Sequence, residues 1–226
     1  MTEKSPRRPR RDDALSRERI IAASIELLDS GGEAALTFRT LSDKLATGPG
    51  AIYGHIANKQ DLLAAACDAI VSRTVDLGAA GAAPAQTVRT VALAMFDAMD
   101  AHPWIGAALT WTAGQLTMVG IIECLGQQVR ALGVAPEKHW ATLSALLNFI
   151  LGVGGQNAAN AQAARTRGAE RAEVLGSVAD HWSQLDAQAY PFVRSVAAQM
   201  SAHDDRADFL VGIDLILQGM LADAGR

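Results

Sequence analysis

The sequence predicts an all-α fold, and three features carry that expectation. Apolar residues recur at i, i+3 and i+4 in one segment after another, and strand-like alternation is almost absent after Ile70. Thr, Asn and Asp stand where helices would begin, and Gly and Pro where they would stop. With 226 residues, 50% of them hydrophobic, the chain can hold a small domain followed by a larger one, each with its own core. No repeat of fixed period is visible.

The chain opens with a charged run, KSPRRPRR (Lys4–Arg11), that carries +5 over eight residues and has no apolar content with which to fold. Residues 1–14 are therefore expected to form a disordered basic arm. It is either a solvated tail or an arm for a narrow minor groove. A helix from Ser16 to Asp29 follows, with Ile20, Ile21, Leu27 and Leu28 inward and Gly31 beyond its end. Thr37 is the natural N-cap of the next helix. There Leu41, Leu45 and Ala46 share one face, Phe38 flanks it, and Arg39, Thr40, Asp43 and Lys44 lie opposite. Thr47 is expected to cap a further short helix whose first turn holds Gly48 and Pro49, where a missing N–H is harmless. Ile52 and Ile56 pack at i, i+4, which leaves Pro49, Gly50, Tyr53 and Gly54 outward. Asn58 caps the helix after that, with Asp61 as the acidic member of a capping box.

Two short helices around a tight turn, followed by Tyr53, His55 and Lys59, describe a helix-turn-helix. Such a unit places its second helix in a major groove roughly 12 Å wide while flanking groups hold phosphates. Double-stranded DNA is thus the expected partner. The net charge of −4 does not oppose this, because residues 1–60 carry 10 basic and 8 acidic groups while the remainder carry 10 and 16. A DNA-binding protein needs a local positive face, and an acidic body helps to orient it.

Beyond the small-residue break GAAGAAPAQ (78–86), a helix carries the stripe Val88, Val91, Ala92, Met95, Phe96 and Met99 and ends at His102-Pro103. This divides the chain into a DNA-binding domain, 15–75, and a larger helical domain, 85–226. Gly133–Pro136 separates a helix ending near Leu132 from a long one, Glu137 to about Ala163. Arg165–Arg171 is expected to be a polar loop, Tyr190-Pro191 opens a short helix, and Asp204 or Asp205 caps the last. The long helix is apolar nearly all round, with Trp140, Leu143, Leu146, Leu147, Phe149, Ile150, Leu151 and Val153, so it must be covered on both faces. The last helix carries Phe209, Leu210, Ile213, Ile216, Leu217, Met220 and Leu221. Leu147, Ile150, Leu151, Ile213, Ile216, Leu217 and Met220 are expected at a two-fold interface between copies.

The segment TFRTLSDKLATGPGAIYGHIANKQDL (Thr37–Leu62), with the helix before it, resembles the N-terminal domain of the TetR (tetracycline-repressor) family of transcriptional regulators. The resemblance covers about Leu15 to Ile70, roughly a quarter of the chain. It implies that Arg39 reaches a base edge or a phosphate, that Pro49, Gly50 and Ala51 face bases, and that Tyr53, His55 and Lys59 grip phosphates. Thr37 and Thr40 complete the expected contact set. Ala46 and Thr47 depart from the usual Gly-Val of the turn, and Gly54 stands where a bulkier residue often adds a base contact. The resemblance further implies a homodimer on a palindromic operator, with the last and the long helix paired in a four-helix interface, and release of DNA when a small molecule changes the separation of the two reading heads.

For that small molecule, Phe96, Met99, Trp104, Trp111, Asn148, Phe149, Gln156 and Asn157 are expected to line a largely apolar pocket with a few amides. Relatives that bind metal-chelated tetracycline use a histidine and a carboxylate. Gln156 stands at the carboxylate position here with no histidine opposite, so a ligand held without metal is expected.

Other function classes find little support. H-E-x-x-H, G-x-S-x-G and C-x-x-C do not occur, and His55, His102, His139, His181 and His203 are scattered. Gly48, Gly50 and Gly54 follow a helix rather than a strand, so they are not a phosphate loop. Cys67 and Cys124 lack partners at metal or redox spacing and read as buried thiols. No enzyme activity, cofactor or metal is expected. The longest strongly apolar stretch, Leu143–Gly155, falls short of the roughly 18 residues of a membrane span, and no signal-peptide pattern opens the chain, so a cytoplasmic protein is expected. The alternative function is a helical dimeric interaction protein without DNA binding, against which Arg39, Tyr53, His55 and Lys59 argue.

Overall fold

The computed structural model describes residues 15–78, 82–111, 116–168 and 170–224, and the basic run at 1–14 lies outside them. Among the described residues there are helices and no strand. The helices are α1 (Arg17–Ala35), α2 (Phe38–Leu45), α3 (Pro49–Tyr53), α4 (Lys59–Gly78), α5 (Pro84–Ala101), α6 (Trp104–Trp111), α7 (Leu116–Ala131), α8 (His139–Arg167), α9 (Arg171–Ser183), α10 (Pro191–Ser201) and α11 (Asp205–Ala224). The chain divides into two compact units, residues 1–69 and 70–226, and the division falls within α4.

In the first unit the core is built from Ile20, Leu28, Leu36, Leu41, Ile52, Ile56 and Leu62, all essentially sealed from solvent. Each such burial contributes about 1.5–3 kcal/mol. Two hydroxyls enter this core without penalty, because each donates to the carbonyl one turn back: Ser24 to Ile20 and Ser42 to Phe38, both at 2.6 Å. Ser16 caps α1 by accepting from the Arg19 amide. The helix then breaks at Gly31 (φ −150°, ψ 16°) and Gly32 (φ 64°, ψ −164°), and the Gly32 conformation is open in practice only to glycine.

Three local expectations change around the turn. Ala46 is not a core residue: it is exposed and left-handed (φ 50°), ending α2 as its C-cap, with Ser42 buried in its place. Leu45 is only half-buried. The N-cap of α3 is Gly48 rather than Thr47, because Pro49, with φ preset for a helix, occupies the first helical position.

In the second unit the α5 stripe Val88, Val91, Ala92, Met95, Phe96 and Met99 is buried against α7, α8 and α11. Phe209 of α11 is sandwiched between Phe96 (centroids 4.8 Å apart) and Phe149 (5.6 Å). Gly154 leaves the notch that the Met99 methyl fills, and Gly106 of α6 approaches the Gly155 backbone of α8 closely enough that a Cβ there would lie 3.3 Å from it. Arg89 pairs with Asp214 at 2.6 Å and Arg206 with Asp97 at 2.8 Å, tying α11 to α5. These pairs are partly exposed and fix register more than they stabilise.

The loop expected at Arg165–Arg171 is shorter than that span, because both of its ends are helical. α8 runs on to Arg167, stops at left-handed Gly168, and α9 begins at Arg171. Asp204 caps α11 by accepting from the Arg206 and Ala207 amides at 3.0 Å. α9 and α10 pack chiefly against each other. Among the described residues no helix is long and apolar enough to cross a membrane.

Candidate nucleic-acid interface

The reading surface is assembled from local rules. Thr37 Oγ1 accepts from the Thr40 amide (3.1 Å), and Thr40 Oγ1 accepts in return from the Thr37 amide (3.0 Å) while donating to the Ala35 carbonyl (2.7 Å). This capping box fixes where α2 starts and occupies both hydroxyls, so Thr37 and Thr40 serve the helix end first. Arg39 projects beside them, exposed, with no partner among the described residues.

Ile52 and Ile56 anchor α3 and the turn after it, 0% and 1% exposed, and everything facing away from them is open. Gly48, Pro49, Gly50, Ala51, Tyr53, Gly54 and His55 are all exposed. Gly48 (φ −86°, ψ 150°) and Gly54 (φ −66°, ψ −18°) adopt conformations any residue takes, and a Cβ on Gly48 or Gly50 would meet nothing within 4 Å. The open side of this unit is therefore backbone, Pro49 and Ala51, together with Arg39 of α2.

Tyr53 is 55% exposed, and its ring lies on that of Phe38, centroids 4.3 Å apart and 13° from parallel. Sequence reasoning took Phe38 for a flank of the core. The pair spans two helices, which no spacing rule exposes.

Asn58 caps α4 as expected, its Oδ1 accepting from the Asp61 amide at 2.9 Å, while Asp61 accepts from the Ala57 amide at 3.1 Å. This places Lys59 at the first position of α4. Its ammonium donates to the Glu33 carbonyl (2.8 Å) and lies 3.5 Å from the Glu33 carboxylate. Lys59 is thus oriented by the kink after Gly32, a partner that sequence reasoning missed. Lys44 pairs with Glu26 at 2.7 Å. Glu18 is held below the ordinary carboxylate range, chiefly by its own backbone amide, then by Ser16, with Arg17 and His55 adding to the effect.

The residues expected around a small molecule do not share one environment. Phe96 and Met99 are consumed by the core, and Phe149 is half-buried in the aromatic stack, because Phe209 stacks on both rings and the Met99 methyl fills the notch at Gly154. Asn148 and Gln156 are exposed on α8. Trp104 is 9% exposed, and Asn157 donates to Asp100 at 3.0 Å, joining α8 to α5. The side chain of Trp111 lies outside the described residues. Among the described residues no cluster of metal-ligating side chains occurs.

The expected interface residues need a similar correction. Ile150, Ile213, Leu217 and Met220 are at most 4% exposed within the single chain, on helices that pack against each other and against α5. Leu147, Leu151 and Ile216 are half-buried. The apolar side chains that α8 and α11 leave uncovered are Trp140, Val211, Leu215 and Leu221, exposed by 69%, 58%, 62% and 53%.

Comparison with known proteins agrees with this architecture. Residues 20–66 match the family described as bacterial regulatory proteins, tetR family, and residues 82–224 match the tetracyclin repressor-like C-terminal domain. A TetR transcriptional regulator from Streptomyces coelicolor is 48% identical, with a TM-score of 0.83 over 93% of this chain and 99% of that one. BioQ, solved with its natural double-stranded DNA operator, is 31% identical with a TM-score of 0.57 over 68% of this chain and 92% of its own. The class D tetracycline repressor protein of Escherichia coli is 28% identical over 215 residues, 91% of this chain and 88% of the repressor. With one match on the helix-turn-helix unit and another spanning α5 to α11, the chain belongs to the TetR family of bacterial transcriptional regulators.

Proposed function

We propose that this DNA-binding regulator is a repressor that binds a palindromic operator as a homodimer and is released by a small molecule. The observation that carries the DNA-reading part is the open surface of α2 and α3, where Arg39 is exposed, without a partner among the described residues, beside backbone that neither packing nor conformation requires to be glycine. Arg39 reads a base edge, Pro49 and Ala51 touch thymine methyls, and Tyr53, His55 and Lys59 hold phosphates. The BioQ relative, solved on its operator, supports this use of the unit. The family is one of regulators rather than enzymes. A cytoplasmic location follows from that role.

The outward faces of α8 and α11 form the two-fold interface, through Leu147, Leu151 and Ile216 with Trp140, Val211, Leu215 and Leu221 around them. The effector is largely apolar, needs no metal, and enters where α5, α6 and α8 meet, near Trp104 and the Asp100–Asn157 pair. Half-sites lie roughly 34 Å apart, so an effector that changes the spacing of the reading heads prevents simultaneous engagement.

An electrophoretic mobility shift on DNA flanking the protein's own gene tests the reading, with Arg39→Ala as the control and a panel of uncharged aromatic ligands as effectors. A specific shift that Arg39→Ala abolishes is the expected result. Binding that ignores sequence, and is equal in Arg39→Ala, would remove the proposal.

A further inference from the structure

We infer that Phe38 is a positioning residue for DNA binding: its ring holds the Tyr53 phenol in the orientation from which the hydroxyl meets a phosphate. The inference rests on the reading that Tyr53 grips phosphate.

Tyr53 is the last residue of a five-residue helix, the shortest α-helix among the described residues, and it is more than half exposed. An exposed tyrosine in such a place samples several rotamers, and binding that needs one of them loses affinity by the fraction populated. Phe38 removes that loss. Its ring is stacked 4.3 Å from the Tyr53 ring and within 13° of parallel, so the tyrosine has a flat surface to lie on. Stacked aromatic pairs of this kind bias an equilibrium by about three- to ten-fold.

The surface is itself fixed. Phe38 is the first residue of α2, directly after Thr37, whose capping box sets the start of the helix, and its carbonyl accepts from the buried Ser42 hydroxyl at 2.6 Å. The chain of support therefore runs from capping box to Phe38 to Tyr53. The stack engages only the ring of Tyr53, and among the described residues no group hydrogen-bonds its hydroxyl. That hydroxyl is left for an acceptor outside the chain. A phenyl ring has nothing of its own to offer a phosphate, so any effect of Phe38 on affinity must travel through Tyr53.

The test is a double-mutant cycle on the full chain, with binding to a random-sequence duplex followed by fluorescence anisotropy and folding by thermal melting. A random duplex is the right probe because phosphate contacts are independent of sequence. Tyr53→Phe should weaken binding, and Phe38→Leu should weaken it about three- to ten-fold with the melting temperature near wild type. In the Tyr53→Phe background Phe38→Leu should have no further effect, and Phe38→Tyr, which keeps the ring, should restore binding. Phe38→Met is carried through the same cycle, so that a leucine variant that fails to fold does not decide the matter. Equal weakening by Phe38→Leu in both backgrounds, or no weakening at all while Tyr53→Phe weakens binding, would overturn the inference. Unchanged affinity in Tyr53→Phe would instead overturn the phosphate reading of Tyr53, and the inference with it.

Discussion

The ring of Phe149 occupies the space in which a side chain at Gly212 would stand. A Cβ on Gly212 would overlap the far edge of that ring, whose face is already stacked on Phe209 with 14° between the planes. Gly212→Ala therefore sets two effects against each other. Alanine favours a helix by about 1 kcal/mol over glycine, while overpacking costs about 1–3 kcal/mol. Overpacking should win, lowering the urea midpoint, and Phe149→Leu in the same chain should recover part of the loss. A Gly212→Ala protein more stable than wild type would show that the ring gives way freely.

Gly32 and Gly48 of the first unit should differ in their tolerance of a side chain. Gly32→Ala puts a side chain into a glycine-only conformation at a cost of about 1–3 kcal/mol, and it shifts the Glu33 carbonyl that Lys59 holds. Gly48→Ala, in ordinary extended backbone with open space around it, should leave the melting temperature unchanged. Equal melting temperatures for the two variants would contradict the strain assigned to Gly32.

Phosphate and base contacts should separate in a salt titration. Lys59→Ala should weaken binding to all duplexes alike and flatten the salt slope by about one charge. Arg39→Ala should relax preference at one base position by about 1–3 kcal/mol. An altered sequence preference with an unchanged slope in Lys59→Ala would reverse these roles.

Burial raises the Cys67 thiol from the ordinary 9.0 to about 12, with the Asp68 charge adding to the effect. The folded state thus favours the neutral thiol more than the unfolded state does. The stabilisation is complete below pH 9.0 and is lost as pH rises from there towards about 12. Urea midpoints should fall across that window, and Cys67→Ala should flatten the fall. Cys67 should also resist thiol reagents in native buffer; rapid labelling at neutral pH would contradict its burial.

Leu215 and Leu217 stand two residues apart on α11 and should fail differently when replaced by Glu. Leu215 is 62% exposed, so Leu215→Glu should give a folded monomer that no longer binds a palindrome. Leu217 is 1% exposed, so Leu217→Glu should unfold the second unit. Sedimentation equilibrium with circular dichroism distinguishes the two, and a Leu215→Glu dimer as tight as wild type would move the interface elsewhere.

What the sequence made legible was whatever is decided within one turn of chain. The caps at Thr37, Asn58 and Asp204, the α5 stripe, the stop at His102-Pro103 and the identity of the helix-turn-helix all rest on neighbours three or four residues apart. Thr47 misled because Gly48 gives no side-chain signal, although Pro49 was already the better guide to the first helical position. Ala46 misled because a left-handed alanine is rare. The inward faces of α8 and α11 were hidden for another reason: α8 is apolar nearly all round, and on α11 the stripe that holds Leu217 packs inside the chain while Leu215, outside that stripe, is left exposed. Gly154 and Ala158, small residues that mark the buried face of α8, carry no hydrophobic signal. The stack of Phe38 on Tyr53 and the hold of Glu33 on Lys59 join separate helices and become visible only in three dimensions.

The open glycines of the reading head also bear on how such a regulator can change over evolutionary time. At Gly48 and Gly50 a new side chain would meet no neighbour in the chain. If α3 reads bases as proposed, mutations there would alter which operator is preferred while the protein stays folded, and at Gly50 they even favour the helix. On that reading stability and specificity rest on different residues: Ile52 and Ile56 keep the element in place, and Gly48 and Gly50 have room for a side chain. After gene duplication, two copies could diverge in target without first passing through an unstable intermediate.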